Sequence, residues 1–386
     1  MMIKSLLDTD LYKLTMMQAV YHQFPSTKVS YKFYCRSKVK WTQDMVTEIE
    51  NEIHEYCNLQ FKKDELEYLK SLSFIKKDFV NFLSLYKPSY EFIYTYLYNE
   101  DLYIFISGPW IFTIMFEVPI LAIVNEVYFK HIEKKISHET IYHPAKAALE
   151  RKIVSAKNIG FKFADFGTRR RHDRQWQEYV VDCLSDLQNF VGTSNVYLAK
   201  ILGIKPIGTM AHEWIMAGSG MNVQLVNSQS YMLQKWADEY RGDLGIALSD
   251  TYGIDAFLKD FDLYFAKLYD GVRQDSGDPI VWAEKIIKHY KSLEIDPKTK
   301  TLIFSDGLNI ARAKQIYEKF KNETNVSFGI GTNLTNDFTT HEPINIVIKM
   351  TKCNDRPTAK LSDEIEKEMC EDRDFLNYLK SVIANK

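Results

Sequence analysis

FKFADFGTRRR (161–171), PIGTMAHEW (206–214), GIALSDTYG (245–253), YDGVRQDSGDP (269–279), LIFSDGLN (302–309) and VSFGIGTN (326–333) repeat one pattern. A short apolar run is followed by a polar cluster, and helical periodicity resumes after it. Strands that alternate with helices pair in parallel, and in closed parallel barrels the chemistry collects at the carboxyl ends of the strands. The spacing therefore predicts an irregular α/β barrel of mainly parallel strands, fewer than eight, over residues 141–339. An open doubly wound sheet would also place ligands beyond the strand ends. Neither a Walker loop nor a dinucleotide fingerprint occurs in these clusters.

Outside this region the rhythm differs. Helical periodicity over about Leu11–Val20 gives way to alternation through Val29, Tyr31, Phe33 and Cys35, and strand-like runs follow at Phe92–Tyr98 and Leu102–Ser107. The tail resumes this texture, with strands expected at Ile344–Lys349 and Thr358–Leu361 and a helix over Asp374–Ile383. Residues 1–140 together with 340–386 are thus expected to form a discontinuous α/β sandwich domain beside the barrel. The helix near residues 8–20 is expected to pack at the barrel mouth or on a neighbouring subunit.

A chain of 386 residues with 46% apolar content can bury a large core. Its 49 Lys and Arg nearly balance 51 Asp and Glu, which argues against nucleic acid or membrane as a generic electrostatic partner. The longest apolar stretch, Ile111–Val124, is interrupted by Glu117 and Pro119 and reads as a buried helix. The chain opens without a basic-then-apolar leader. Five scattered cysteines lack the paired spacing of zinc or redox motifs and read as reduced thiols. A cytoplasmic location is expected.

Phe166-Gly167-Thr168-Arg169-Arg170-Arg171 is the densest cationic cluster, and it leads into a helix near Asp173. Guanidinium forks near helix amides suit phosphate or carboxylate, and Phe166 adds a stacking face. A solvated basic surface is the plainer reading, but the strand-end position favours an anion site. Gly329, Gly331 and Thr332 could let a phosphate approach the backbone, or simply make a tight turn. Gly192-Thr193-Ser194 is a second small, donor-rich turn. Asp275 and Asp306 end consecutive strands; carboxylates there bind sugar hydroxyls or magnesium, or mark turns. His212 lacks the second histidine of a zinc-protease helix, which leaves a structural, nucleophilic or acid-base role.

Taken together, these blocks resemble the nicotinate phosphoribosyltransferase family over essentially the whole chain. The stretches that carry the resemblance are LLDTDLYKLTMMQAVY, SGPW with EVP, FADFGTRRR, VGTSN, GTMAHEW, GIALSD, RQDSGDP, FSDGL, SFGIGTNLT and AKLSD. It implies an α/β sandwich built from both chain ends and an irregular barrel. It also implies transfer of phosphoribosyl from 5-phosphoribosyl 1-pyrophosphate to nicotinate in NAD biosynthesis, with ATP as co-substrate, Mg2+ carried largely on pyrophosphate, and a homodimer.

By this resemblance Phe166 stacks on the nicotinate ring and Tyr12 closes the other face from a neighbouring subunit. Arg169 and Arg273 bind acid or phosphate groups, Asp275 and Asp306 meet ribose or magnesium pyrophosphate, and Gly329, Gly331 and Thr332 hold the 5-phosphate. His212 matches the histidine that ATP phosphorylates transiently. Ser194 stands where nicotinamide-using relatives carry an aspartate, so its hydroxyl is expected to donate to the acid. The tail departs from the family: Glu364-Ile365-Glu366-Lys367 replaces Ser-Pro-Gly-Lys, and no catalytic part is assigned to it. The competing readings are a nicotinamide-specific enzyme and a catalytically silent ligand-binding paralogue.

Overall fold

The computed structural model describes residues 1–157, 159–338, 341–364 and 367–386. Its strands, in chain order, are β1 (Lys28–Cys35), β2 (Ile93–Tyr98), β3 (Asp101–Pro109), β4 (Lys162–Asp165), β5 (Phe190–Thr193), β6 (Arg241–Leu244), β7 (Ile246–Leu248), β8 (Gly271–Gln274), β9 (Thr301–Phe304), β10 (Asn325–Ile330), β11 (Ile346–Cys353) and β12 (Arg356–Pro357). Two sheets hold eleven of them, all but β6. One is five-stranded, in the order β12-β11-β1-β3-β2, and the other six-stranded, in the order β5-β4-β10-β9-β8-β7.

The first sheet is antiparallel where β1 meets β11 and β3, and it joins the two chain ends. Val29, Tyr31 and Phe33 alternate inward and are buried, which fixes the register against Cys353, Met350 and Ile348. The hairpin joining β11 to β12 turns on Asn354 and Asp355, both with positive φ. That turn sets the pairing of Cys353 with Arg356 and Lys352 with Pro357. The expected strand at Thr358–Leu361 is therefore displaced upstream. Beyond Thr358 the chain leaves the sheet, and the Leu361 amide donates to the Thr251 carbonyl at the barrel mouth (2.9 Å).

The second sheet is parallel throughout. Five of the six sequence blocks supply its strands, while PIGTMAHEW does not. Proline has no N–H to offer a ladder, and Pro206 makes only a bridge to Thr193. The Thr209 hydroxyl then donates to the Ile246 carbonyl (3.0 Å), so residues 206–209 close the ring between β5 and β7 irregularly. In their place β5 joins the sheet, a segment that reads as a turn because Gly192 has φ +139°. Glycine is required there, since a Cβ would lie 2.0 Å from the Lys205 carbonyl oxygen.

Two helices tie the sheets into one core. Leu11–Gln23 is apolar on nearly every side and buried, and it packs within its own chain: the Thr15 hydroxyl donates to the Thr209 carbonyl (2.7 Å) and the Tyr240 hydroxyl to the Thr15 carbonyl (2.6 Å). Within the chain this helix packs at the barrel mouth. The apolar run Trp110–Ile132 is long enough to cross a membrane, yet 94% of its most apolar window is buried inside the protein. It is a core helix, and Pro119 falls in the first turn of its Glu117–Ile132 segment, where a missing N–H costs little.

Candidate active site

A cavity of about 340 Å³ opens at the carboxyl ends of the parallel strands. Phe166 and Arg169 enter it after β4, Ser194 after β5, Arg273 and Asp275 at the end of β8, and Asp306 after β9. Gly331 and Thr332 line it after β10, His212 at the start of the helix His212–Ala217, and Tyr12 from the N-terminal helix. Ten of the eleven residues singled out from sequence thus meet in one space. Gly329 does not line it: a Cβ there would lie 2.2 Å from the Phe166 ring, so this glycine makes room for the ring from behind.

Tyr12 of this chain lines the same cavity as Phe166. The cause is local pairing at the helix entrance. Asp10 bridges Asn195, and the Leu11 amide donates to the Ser194 carbonyl (2.8 Å), so the strand-to-helix turn after β5 grips the start of the N-terminal helix.

Positive charge dominates the walls. Among the described residues, Arg169 approaches a carboxylate no closer than 3.8 Å, from Glu117. Burial opposes its charge, but Tyr12, Glu117 and Asp275 raise its pKa and keep it protonated. Arg170 is lowered to about 10 by burial and by Arg169. Arg273 reaches the Met210 carbonyl at 3.4 Å and Asp275 at 3.6 Å, and its buried Nε has no partner among the described residues. Lys349 reaches the cavity from β11, on the other sheet, and burial with Lys360 and Arg169 nearby lowers it to about 7 against the pull of Glu117. Such loosely partnered cations are stabilised by an anion that brings its own negative charge.

His212 is 5% exposed, and its Nε2 lies 3.1 Å from Asp250 Oδ1. A carboxylate only accepts, so Nε2 carries the proton and Nδ1 keeps its lone pair. Nδ1 faces Asp275 at 3.7 Å, beyond hydrogen-bond reach. Burial and Lys360 lower the imidazole to about 4 despite Asp250, so it is neutral near pH 7. Asp250 is itself fixed, accepting from the Ser276 hydroxyl (2.5 Å) and Lys360 (3.1 Å). The adjacent Glu213, the other carboxylate that could have held the ring, is occupied by Lys13, Tyr31 and Trp110.

The remaining carboxylates differ in state. Burial would raise Asp275, but Arg273 and His212 outweigh it and hold it at about 2; the Ser305 hydroxyl donates to it at 2.8 Å. Asp306 is raised by burial and paired with Lys367 at 2.6 Å. Lys367 also meets Glu364 (3.1 Å), so the unusual tail lies against the site; Ile365 and Glu366 fall outside the described residues. The Ser194 hydroxyl donates to Asp10 at 2.7 Å. Asp10, Asp250, Lys349 and Lys360 are site residues that motif reading missed, while Arg170 enters from the cationic cluster already singled out. For Asp250 and Lys360 the only sequence signal was membership of the blocks GIALSD and AKLSD.

Comparison with known proteins reaches the same place. The nicotinate phosphoribosyltransferase (NAPRTase) family model matches residues 161–386, and the model of that family's N-terminal domain matches residues 7–125. The nicotinate phosphoribosyltransferase of Acidovorax sp. (strain JS42) is 50% identical, the alignment covering 99% of this chain and 98% of that protein. That of Cupriavidus necator is 49% identical over 100% and 99%. Among solved structures, the Vibrio cholerae enzyme superposes with a TM-score of 0.94 at 38% identity, covering 99% of this chain and 94% of that one. The Porphyromonas gingivalis enzyme gives 0.93 at 32%, covering 98% and 99%. With its strand-end cavity, its fold and its full length in agreement, this chain belongs to the nicotinate phosphoribosyltransferase family.

Proposed function

We propose that this chain transfers the phosphoribosyl group of 5-phosphoribosyl 1-pyrophosphate to the ring nitrogen of nicotinate, giving nicotinate mononucleotide and pyrophosphate in NAD biosynthesis. One observation carries the reading: a single cavity combines aromatic side chains, Phe166 and Tyr12, with loosely partnered Arg169, Arg273 and Lys349. An aromatic acid and a phosphorylated sugar need that combination. In this reading Phe166 and Tyr12 hold the ring, Arg169 and Arg273 meet acid and phosphate groups, and Gly331 and Thr332 face the 5-phosphate. Gly329 acts by seating Phe166.

Bond breaking leaves positive charge on the ribosyl carbon and negative charge on pyrophosphate. The protein's part is alignment and charge stabilisation, with no nucleophile on the sugar. Asp275, held ionised, and Asp306 are the hard oxygen donors suited to magnesium arriving on the pyrophosphate, where the ion would help neutralise the leaving group. For ATP coupling, His212 Nδ1 attacks the γ-phosphorus of ATP and the bond to ADP oxygen breaks. Asp250 stabilises the resulting N-phosphorylated imidazolium by accepting from Nε2–H. The sandwich of residues 1–140 with 340–386 and the barrel of 141–339 form the two domains of a cytoplasmic homodimer.

The deciding assay follows pyrophosphate release with nicotinate or nicotinamide, each with and without ATP. Release with nicotinate that ATP stimulates supports the reading. Preference for nicotinamide would reassign the acid site, and silence with both rings would leave a ligand-binding protein.

A further inference from the structure

Away from the strand-end cavity, a second space of about 490 Å³ lies beside Glu133, His172 and Asp173. Glu133 follows the core helix Glu117–Ile132, and His172 follows the three arginines after β4. His341 stands ahead of β11. His172 Nε2 lies 3.0 Å from each Glu133 carboxylate oxygen, and His341 Nδ1 lies 3.1 Å from Glu133 Oε1. One ligand atom from each residue falls within 4.8 Å of the others.

Three features make this more than an ion pair. The group is largely buried, with side-chain exposure of 5% for His172, 7% for Glu133 and 12% for His341. The second nitrogen of His172 faces Asp173 Oδ2 at 2.6 Å, the carboxylate contact that orients a metal-bound imidazole. Both rings are held by aromatic packing: Phe338 stacks on His172 at 4.2 Å and Phe129 lies 4.5 Å from His341. The rotamers are fixed before any ligand arrives, and the neighbouring cavity leaves a free side for water.

We propose that Glu133, His172 and His341 form a binding site for a divalent transition-metal ion, zinc in the first instance, with Asp173 as the orienting carboxylate. Two imidazoles, one carboxylate and an open position make a ligand set matched to zinc, whereas magnesium and calcium prefer all-oxygen shells. A bound ion would join three chain segments, the core helix, the turn after β4 and the approach to β11. Two of these lead directly to cavity residues, Arg169 and Arg170 on one side and Lys349 on the other. The site is independent of the phosphoribosyl reading, since it contains none of the cavity residues.

The test uses the full chain stripped with a chelator and titrated with cobalt(II), then zinc(II). Cobalt bound by nitrogen and oxygen gives weak visible bands without the intense thiolate absorption near the ultraviolet, which separates this site from the five cysteines. Binding of one ion per chain, with a rise in thermal midpoint on adding zinc, is expected. His341→Gln, the mildest change because His341 is the least buried ligand, should weaken binding at least tenfold, and Asp173→Asn about 10- to 100-fold. His54→Gln, outside the ligand group and stacked on Tyr90, should bind as the unaltered protein does. If neither ion binds more tightly than about 100 µM, or if binding survives unchanged in folded His341→Gln and His172→Gln proteins, the proposal is overturned.

Discussion

Arg169, Arg170 and Arg171 are consecutive in sequence, yet the first two belong to one environment and the third to another. Arg171 is fully buried and saturated: Asp8 takes it in a bidentate pair at 2.7 and 3.0 Å, Glu126 accepts from its Nε at 2.9 Å, and Gln177 from its Nη1 at 3.3 Å. Arg169 and Arg170 turn instead toward the cavity and find no carboxylate closer than 3.8 Å among the described residues. The difference teaches how to separate a structural cation from a functional one. A charge removed from water must be compensated. Where the protein supplies the compensation the residue serves the fold; where it withholds it, a ligand is expected to supply it.

The largest expected effect breaks the paired member. Arg171→Met strands Asp8 and Glu126 in the interior and should cost about 3–5 kcal/mol of folding stability, a typical penalty for breaking a buried pair. Chemical denaturation measures it, and a loss below about 1 kcal/mol would mean that Arg171 is not holding these segments together. Of the two carboxylates, Asp8 is the firmer partner, because burial pushes Glu126 up to about 7 even beside Arg171.

The unpaired members should behave in the opposite way. Arg273→Ala and Arg169→Ala should leave the denaturation midpoint nearly unchanged while lowering turnover about a hundredfold, roughly 3 kcal/mol of transition-state stabilisation. A mutant that unfolds with little change in specific activity would erase the contrast with Arg171. Phe166→Ala should be milder and selective. Losing one stacked pair costs about 0.5–1.5 kcal/mol beyond area burial, and should raise the KM for nicotinate several-fold more than that for the phosphorylated sugar. Equal changes in both would move the ring elsewhere.

The smallest effect is a proton. Lys349, near 7 in the free protein, is neutral above that value and charged below it. An anion in the cavity favours the charged form and raises this pKa. Binding of phosphoribosyl pyrophosphate should therefore take up about half a proton at pH 7, more at pH 8 and little at pH 6. Calorimetry in buffers of different ionisation enthalpy measures the uptake, and Lys349→Met should abolish it.

Much of this was legible in the sequence, for reasons that individual residues make plain. Phe166, Arg169, Arg273, Asp275 and Asp306 follow apolar runs directly, so the pattern that locates a strand also locates its functional end. β5 was hidden by Gly192, which reads as a turn, and PIGT was misread because an apolar residue beside Pro206 resembles a strand start. Pairings across long separations left no local trace. Asp250 meets His212 from 38 residues away, and Ser194 gives its hydroxyl to Asp10 from 184 away. Lys349 alternates along a strand of the other sheet, where charge usually signals a solvated face. The Glu133, His172 and His341 group has no spacing that a motif could capture.

The pairing of β1 with β11 also dictates when the cavity can exist during synthesis. Val29 waits for Cys353, and the N-terminal helix that presents Tyr12 must find its seat around Ser194, Thr209 and Tyr240. A nascent chain that has made Phe166, His212 and Arg273 thus has most of one wall but lacks Lys349 and the strand carrying it. Closing such long loops is slow, and meanwhile β1 exposes an apolar face and the unpaired edge that β11 later takes. Chain elongation through β11 is thus the step at which an aggregation-prone intermediate becomes a binding site, and slowing translation just before it should reduce soluble yield more than slowing it anywhere within the barrel.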